Sequence, residues 1–129
     1  MFGQALQYPL DANGLKPSHM AAALGYDVSY VNRWLNSVKL PSLKNNDTLF
    51  DSIGEYFTAN CTQSSRIAMA ALLGVDPAAA TQNILPALLS KYLMETYMRQ
   101  KYPPEQHQNV VLQEDSDVNS SFFYYYDSA

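Results

Sequence analysis

The chain has 129 residues, of which 47% are hydrophobic, and a net charge of −4. That length holds one ordinary domain or two very small ones, with a modest core. No apolar run is long enough to cross a bilayer, and the single cysteine, Cys61, cannot build a disulfide framework or a cysteine zinc site. Met1 to Leu10 lacks a basic region followed by an apolar stretch, so a secretory signal is not expected there and the reading is cytoplasmic. The charge is unevenly spread. Residues 1–102 carry all eight Lys and Arg with seven of the twelve acidic residues, about +1, whereas 103–129 carry five acidic residues and no Lys or Arg.

The pattern reads as helix nearly throughout, so the expected class is all-α. Residues 2–12 form a first, weak helix with Phe2, Ala5 and Leu6 on one face. Pro9 is expected to kink or break it, since a helix-interior proline costs about 3 kcal/mol. Asn13-Gly14 is a turn signal. Pro17 suits the first position of a second helix, where its missing N–H has no partner to lose, and that helix stops at Gly25. Asp27 is a good N-cap for a third helix over 28–36. Lys39 to Ser42 read as a loop. A fourth helix starts after Asn46 or Asp47 and runs to about Ala59, with Leu49, Ile53 and Phe57 on one stripe. An alanine-rich helix over 65–73 ends at Gly74. Asp76-Pro77 is a cap-plus-first-residue pair, and the last helix reaches about Tyr102, with Pro86 near its start or at a break. Pro103-Pro104 ends it.

Residues 17–36, PSHMAAALGYDVSYVNRWLN, meet the local demands of two short helices crossing over a tight turn. Ala21 is small where the helices approach. Gly25, four residues later, tolerates positive φ. Met20, Leu24, Tyr26, Val31 and Trp34 offer a shared apolar face. This pattern resembles the Cro/repressor-type (XRE) helix-turn-helix family. The resemblance extends through KLPS at 39–42 and LFDSIGEYF at 49–57, and covers about residues 2–60. Three features depart from the family. Ser37 stands where a glycine is usual, Pro9 lies in the first helix, and the segment 1–60 has a charge of about −1.

The resemblance implies a small helical bundle with a DNA-binding helix-turn-helix over 1–60; the apolar spacing beyond it reads as a helical support or dimerisation region over 61–102, and the charge split marks an acidic tail over 103–129. It implies a sequence-specific transcriptional regulator, repressor-like, acting on double-stranded DNA with no cofactor or metal. Residues 28–36 would be the recognition helix. With Val31 and Trp34 inward, Val28, Ser29, Asn32 and Arg33 face out. Arg33 suits guanine, Asn32 adenine, Ser29 a base or phosphate, and Val28 a thymine methyl. Lys16, Lys39 and Lys44, with the backbone near Ser18 at the start of the second helix, are candidate phosphate contacts. The competing reading is a helix-turn-helix-fold interaction module that binds a regulator or phage protein instead of DNA, and the near-neutral body favours it. An enzyme is not expected, because His19 and His107 are the only histidines and no catalytic or metal-ligand spacing accompanies them.

Residues 20–27, MAAALGYD, recur as MAALLGVD at 69–76. The second copy could open another helix-turn-helix, but Ala80 and Asn83 stand where Val31 and Trp34 anchor the first. A support or dimerisation element is the expected role. The helix over 84–102 has a stripe of Ile84, Leu85, Leu88, Leu89, Tyr92, Leu93 and Tyr97, which either the domain itself or a second copy must cover; a homodimer is expected. The tail ends in Phe122-Phe123-Tyr124-Tyr125-Tyr126, a means of docking on a protein partner or on the body. Its acidity is expected to weaken DNA binding in cis.

Overall fold

The computed structural model describes residues 1–103, and within them every regular element is an α-helix. In chain order these are α1 (Phe2–Ala12), α2 (Pro17–Leu24), α3 (Val28–Leu35), α4 (Leu49–Ala59), α5 (Gln63–Leu73) and α6 (Leu85–Lys101). The acidic and aromatic segment from 104 onward lies outside the described residues. Residues Met1–Tyr97 make up one compact unit, and the described part of a second runs from Met98 to Pro103.

The first helix is not broken. Pro9 lies inside α1 and is buried, which corrects the expectation of an interruption. Phe2, Leu6 and Leu10 recur every fourth residue and are fully buried. Burying such side chains is worth about 1.5–3 kcal/mol each, which together outweighs the ~3 kcal/mol cost of the proline. The helix end is also tied down: the Pro9 carbonyl accepts from the Asn13 amide at 3.1 Å and from Asn13 Nδ2 at 2.8 Å. The helix packs on α3 and α5. It meets the end of α3 so closely that a Cβ at Gly3 would lie 2.5 Å from the Leu35 carbonyl oxygen and 2.7 Å from that of Trp34. A second close crossing joins α4 and α6, where a Cβ at Gly54 would lie 2.5 Å from the Pro86 carbonyl oxygen.

The stripe Leu49, Ile53 and Phe57 of α4 is fully buried, as its spacing requires. Phe50 joins Phe2 and Tyr97 in an aromatic cluster with ring centroids 5.3–6.1 Å apart. The fifth helix begins two residues before its expected start. Thr62 accepts from the Ser65 amide while Ser65 Oγ accepts from the Thr62 amide, so the two residues cap each other. Leu85, Leu89, Leu93 and Tyr97 of α6 are buried within the chain, and Tyr92 is partly buried, so the domain itself covers most of the broad stripe.

The two copies of the repeat adopt the same turn. Gly25 and Gly74 end α2 and α5 in the left-handed region, at φ 80° and 72°. The next residue's amide reaches back to Ala21 at 2.9 Å and to Ala70 at 3.0 Å. Asp27 and Asp76 then each accept from the amide two residues on, at 2.8 and 3.0 Å. Met20-Ala21 and Met69-Ala70 are buried alike. Beyond the aspartates the copies part. The first continues as α3. The second makes only a turn over 77–79, and Arg66 Nη1 donates to the carbonyls of Pro77 and of Ala80 just beyond it, at 2.8 and 3.2 Å.

Candidate nucleic-acid interface

The α3 helix has eight residues and would be marginal alone. It persists because one side is anchored and the start is capped. Val31 and Trp34 are fully buried. The Trp34 ring packs edge-on against Tyr26 at 5.3 Å and Tyr30 at 5.0 Å. Its indole N–H is buried with no partner among the described residues, so ring packing rather than hydrogen bonding holds it. Of the other expected inward residues, Met20 is fully buried, while Leu24 and Tyr26 are only partly so. At the start, Asp27 Oδ1 accepts from the Ser29 amide at 2.8 Å and the Ser29 hydroxyl at 2.7 Å. The Ser29 hydroxyl, then the Ser29 amide, hold the Asp27 carboxyl below the usual carboxylate range; slight desolvation opposes them, and Arg33 adds a smaller pull in the same direction.

Anchoring Val31 and Trp34 leaves Val28, Ser29, Asn32 and Arg33 on the exposed side of α3. They differ in what remains available. Asn32 and Arg33 make no side-chain hydrogen bond to another described residue. The Ser29 hydroxyl spends its proton on Asp27 and keeps only acceptor capacity. Val28 is 40% exposed at the first position of the helix.

The cations are also exposed. Lys16, Arg33, Lys39 and Lys44 form no ion pair among the described residues. Lys39 is gathered toward α3, with its Nζ 5.6 Å from the centre of the Tyr30 ring. The Tyr30 hydroxyl accepts from the Ser42 amide at 2.9 Å, and Asn46 Nδ2 donates to the Tyr26 hydroxyl at 3.0 Å. These two bonds lash the 39–46 loop, with Lys44 in it, to the turn and to α3. Lys16 precedes Pro17 at the start of α2. Its carbonyl takes the amides of His19 and Met20, and proline has none, so Ser18 carries the first-turn amide left without an acceptor among the described residues.

Tyr30 is the residue that sequence reasoning missed. It supports Lys39, holds Ser42 and braces Trp34 together, yet its spacing in the sequence marks it only as a half-buried helix residue. With Leu24, Gly25, Tyr26, Ser42, Asn45 and Asn46 it also lines an open cleft of about 420 Å³ beside the turn. Past the helix, Ser37 adopts φ 60°, the only non-glycine residue at positive φ among those described. The chain closes there through Ser37 N to Trp34 O at 3.2 Å and Val38 N to Arg33 O at 2.9 Å. No cluster of His, Cys, Asp or Glu suited to a metal ion occurs among the described residues. No helix among them is long and apolar enough to cross a membrane. Comparison with known proteins returns no match to a family model, to a curated protein or to a solved structure.

Proposed function

We propose that the chain is a sequence-specific DNA-binding transcriptional regulator, repressor-like, with α2 and α3 as a helix-turn-helix and α3 lying in the major groove. The observation that carries this reading is the division of α3. Buried Val31 and Trp34 fix its orientation, and Asn32 and Arg33 stand exposed beside them with no side-chain hydrogen bond to another described residue. A guanidinium matches the two acceptors of guanine, and a carboxamide matches the donor–acceptor edge of adenine. Val28 suits a thymine methyl, and the Ser29 hydroxyl, left with acceptor capacity, suits a base amino group. Lys16, Lys39, Lys44 and the Ser18 amide would position the protein on the backbone. With so few cations, sequence-independent affinity is weak, and base contacts must supply most of the selectivity.

The charge of about −1 over residues 1–60 favours a second reading, in which the same face binds a protein. Binding of the purified protein to DNA from its own promoter region, at low and moderate salt, separates the two. The DNA reading expects one fragment to be preferred over a scrambled control. Arg33→Ala should weaken that complex by about 1–3 kcal/mol and relax preference at one base pair. Equal binding of all fragments, or an Arg33→Ala variant with unchanged preference, overturns the assignment.

A further inference from the structure

The cleft beside the turn between α2 and α3 lies wholly within the unit Met1–Tyr97. None of the four outward residues of α3 lines it. Its volume of about 420 Å³ falls in the range of small-molecule sites. Leu24, Gly25 and the Tyr26 and Tyr30 rings give it an apolar side, and an added Cβ at Gly25 would meet nothing within 4 Å, so the space beside the turn is open. The aromatic walls are held in place. The two tyrosine rings lie 5.5 Å apart at 59°, and Trp34 packs edge-on against both. Walls fixed before a ligand arrives have little freedom left to lose on binding.

The polar groups of the cleft are rich in donors. Each phenol oxygen already accepts one hydrogen bond from the 39–46 loop, Tyr26 from Asn46 Nδ2 and Tyr30 from the Ser42 amide. Neither phenol donates to another described residue, so each keeps its proton for a ligand. Ser42 Oγ accepts from the Lys44 amide at 3.4 Å and keeps its proton as well. The exposed Asn45 carboxamide makes no hydrogen bond to another described residue and offers both a donor and an acceptor. No charged side chain lines the cleft. Such a lining fits a neutral, planar ligand with an aromatic face and more acceptors than donors. Adenine is of this kind: its ring nitrogens accept, its amino group donates, and a carboxamide matches its donor–acceptor edge. Bases also stack on tyrosine rings. We propose that the cleft binds a free adenine nucleoside, with the base against Tyr26 and Tyr30 and its amino edge on Asn45. A hydroxyl that donates while it accepts is polarised, so a ligand on the two phenols strengthens the bonds that hold the 39–46 loop. In the DNA-binding reading, on which this last point rests, the nucleoside is an effector that steadies Lys39 and Lys44; the site itself stands without that reading.

Titration of the full chain with adenosine, without DNA, followed through its amide NMR signals, is the test. Shifts should concentrate at Gly25, Tyr26, Ser42, Asn45 and Asn46 and saturate with a Kd below about 1 mM. Bound adenosine should slow solvent exchange of the Ser42 amide by about threefold or more. Uridine, with a smaller face and fewer ring acceptors, should bind about tenfold more weakly. Asn45→Ala should weaken adenosine by about tenfold. Tyr26→Phe, which keeps the ring and removes one O–H, should weaken it by about threefold or more. Asn45 is exposed, and circular dichroism confirms that each variant is folded. A folded parent whose cleft amides do not shift at ~5 mM adenosine overturns the inference. So do shifts centred on Asn32 and Arg33 instead, uridine binding as tightly as adenosine, or an Asn45→Ala variant that binds like the parent. A Ser42 exchange rate unchanged by bound adenosine overturns the contact with Tyr30. Because no DNA is present, failure here leaves the DNA-binding assignment standing, and failure of DNA binding leaves the nucleoside site standing.

Discussion

Replacing Ser37 with glycine should stabilise the protein. Ser37 is held at φ 60°, where its Cβ crowds the following carbonyl. A non-glycine residue in that region costs about 1–2 kcal/mol. The two hydrogen bonds that close the helix there, Ser37 N to Trp34 O and Val38 N to Arg33 O, use backbone atoms only and survive the substitution. The side chain is exposed and makes no hydrogen bond to another described residue, so nothing else is lost. Against the relief stands the extra freedom of glycine in the unfolded chain, about 0.4–1 kcal/mol. Taken at the centres of the two ranges, the net gain is about 0.8 kcal/mol. At about 4–8 °C per kcal/mol for a domain of this size, Tm should rise by about 3–6 °C. Gly25→Ala is the matched opposite. Gly25 has φ 80° and nothing within 4 Å of an added Cβ, so its penalty is conformational alone. Tm should fall by a similar amount. Thermal melts of both variants by circular dichroism are the measurement. If Ser37→Gly leaves Tm unchanged or lowers it while Gly25→Ala lowers it, the residue after α3 is not strained as described.

Gly3→Ala should destabilise by about 1–3 kcal/mol. The new methyl would sit 2.5 Å from the Leu35 carbonyl oxygen, a backbone atom that cannot rotate away. A neutral result in urea unfolding would mean that α1 does not approach the end of α3 so closely. Asp27→Asn keeps an N-cap acceptor but removes the charge. Because the folded Asp27 carboxyl lies below its ordinary 3.8, its contribution is fully present above that pH and fades as pH falls through the folded value. The parent should therefore lose its advantage over Asp27→Asn on going from pH 6 to pH 3; a gap that stays constant would show that the charge adds nothing to the cap. On DNA, Lys44→Ala should weaken all sequences about equally and flatten the salt slope by about one unit, in contrast to Arg33→Ala. Quantitative binding at three salt concentrations tests this, and a change of base preference in Lys44→Ala would refute the division of roles.

What the sequence determined was local. Pro17, Gly25 and Asp27 set the start of α2, its end and the start of α3, because caps and positive-φ turns depend on a few adjacent residues. The spacing of Val31 and Trp34 likewise determined which side of α3 faces outward, and so the exposed positions of Val28, Ser29, Asn32 and Arg33. Ser37 was legible as a departure from glycine, although only the backbone showed that the departure costs strain.

Tertiary structure decided the features that depend on what lies across the core. Local rules break α1 at Pro9, yet burial of Phe2, Leu6 and Leu10 against α3 and α5 carries it through. Tyr30 gathers Lys39 and Ser42 from nine and twelve residues away, through contacts that no periodicity encodes. The broad stripe of α6 left open whether this chain or another covers it, and only packing showed Leu85, Leu89, Leu93 and Tyr97 turned inward. The repeat shows the division most directly. MAAALGYD and MAALLGVD end their helices in the same left-handed turn, with the same aspartate accepting from the amide two residues on. Yet Val31 and Trp34 dock an eight-residue helix after the first, whereas Ala80 is buried and Asn83 exposed after the second, and no helix follows until Leu85. A short helix is marginal on local propensity alone, and the core supplies its missing stability only where large apolar side chains reach it.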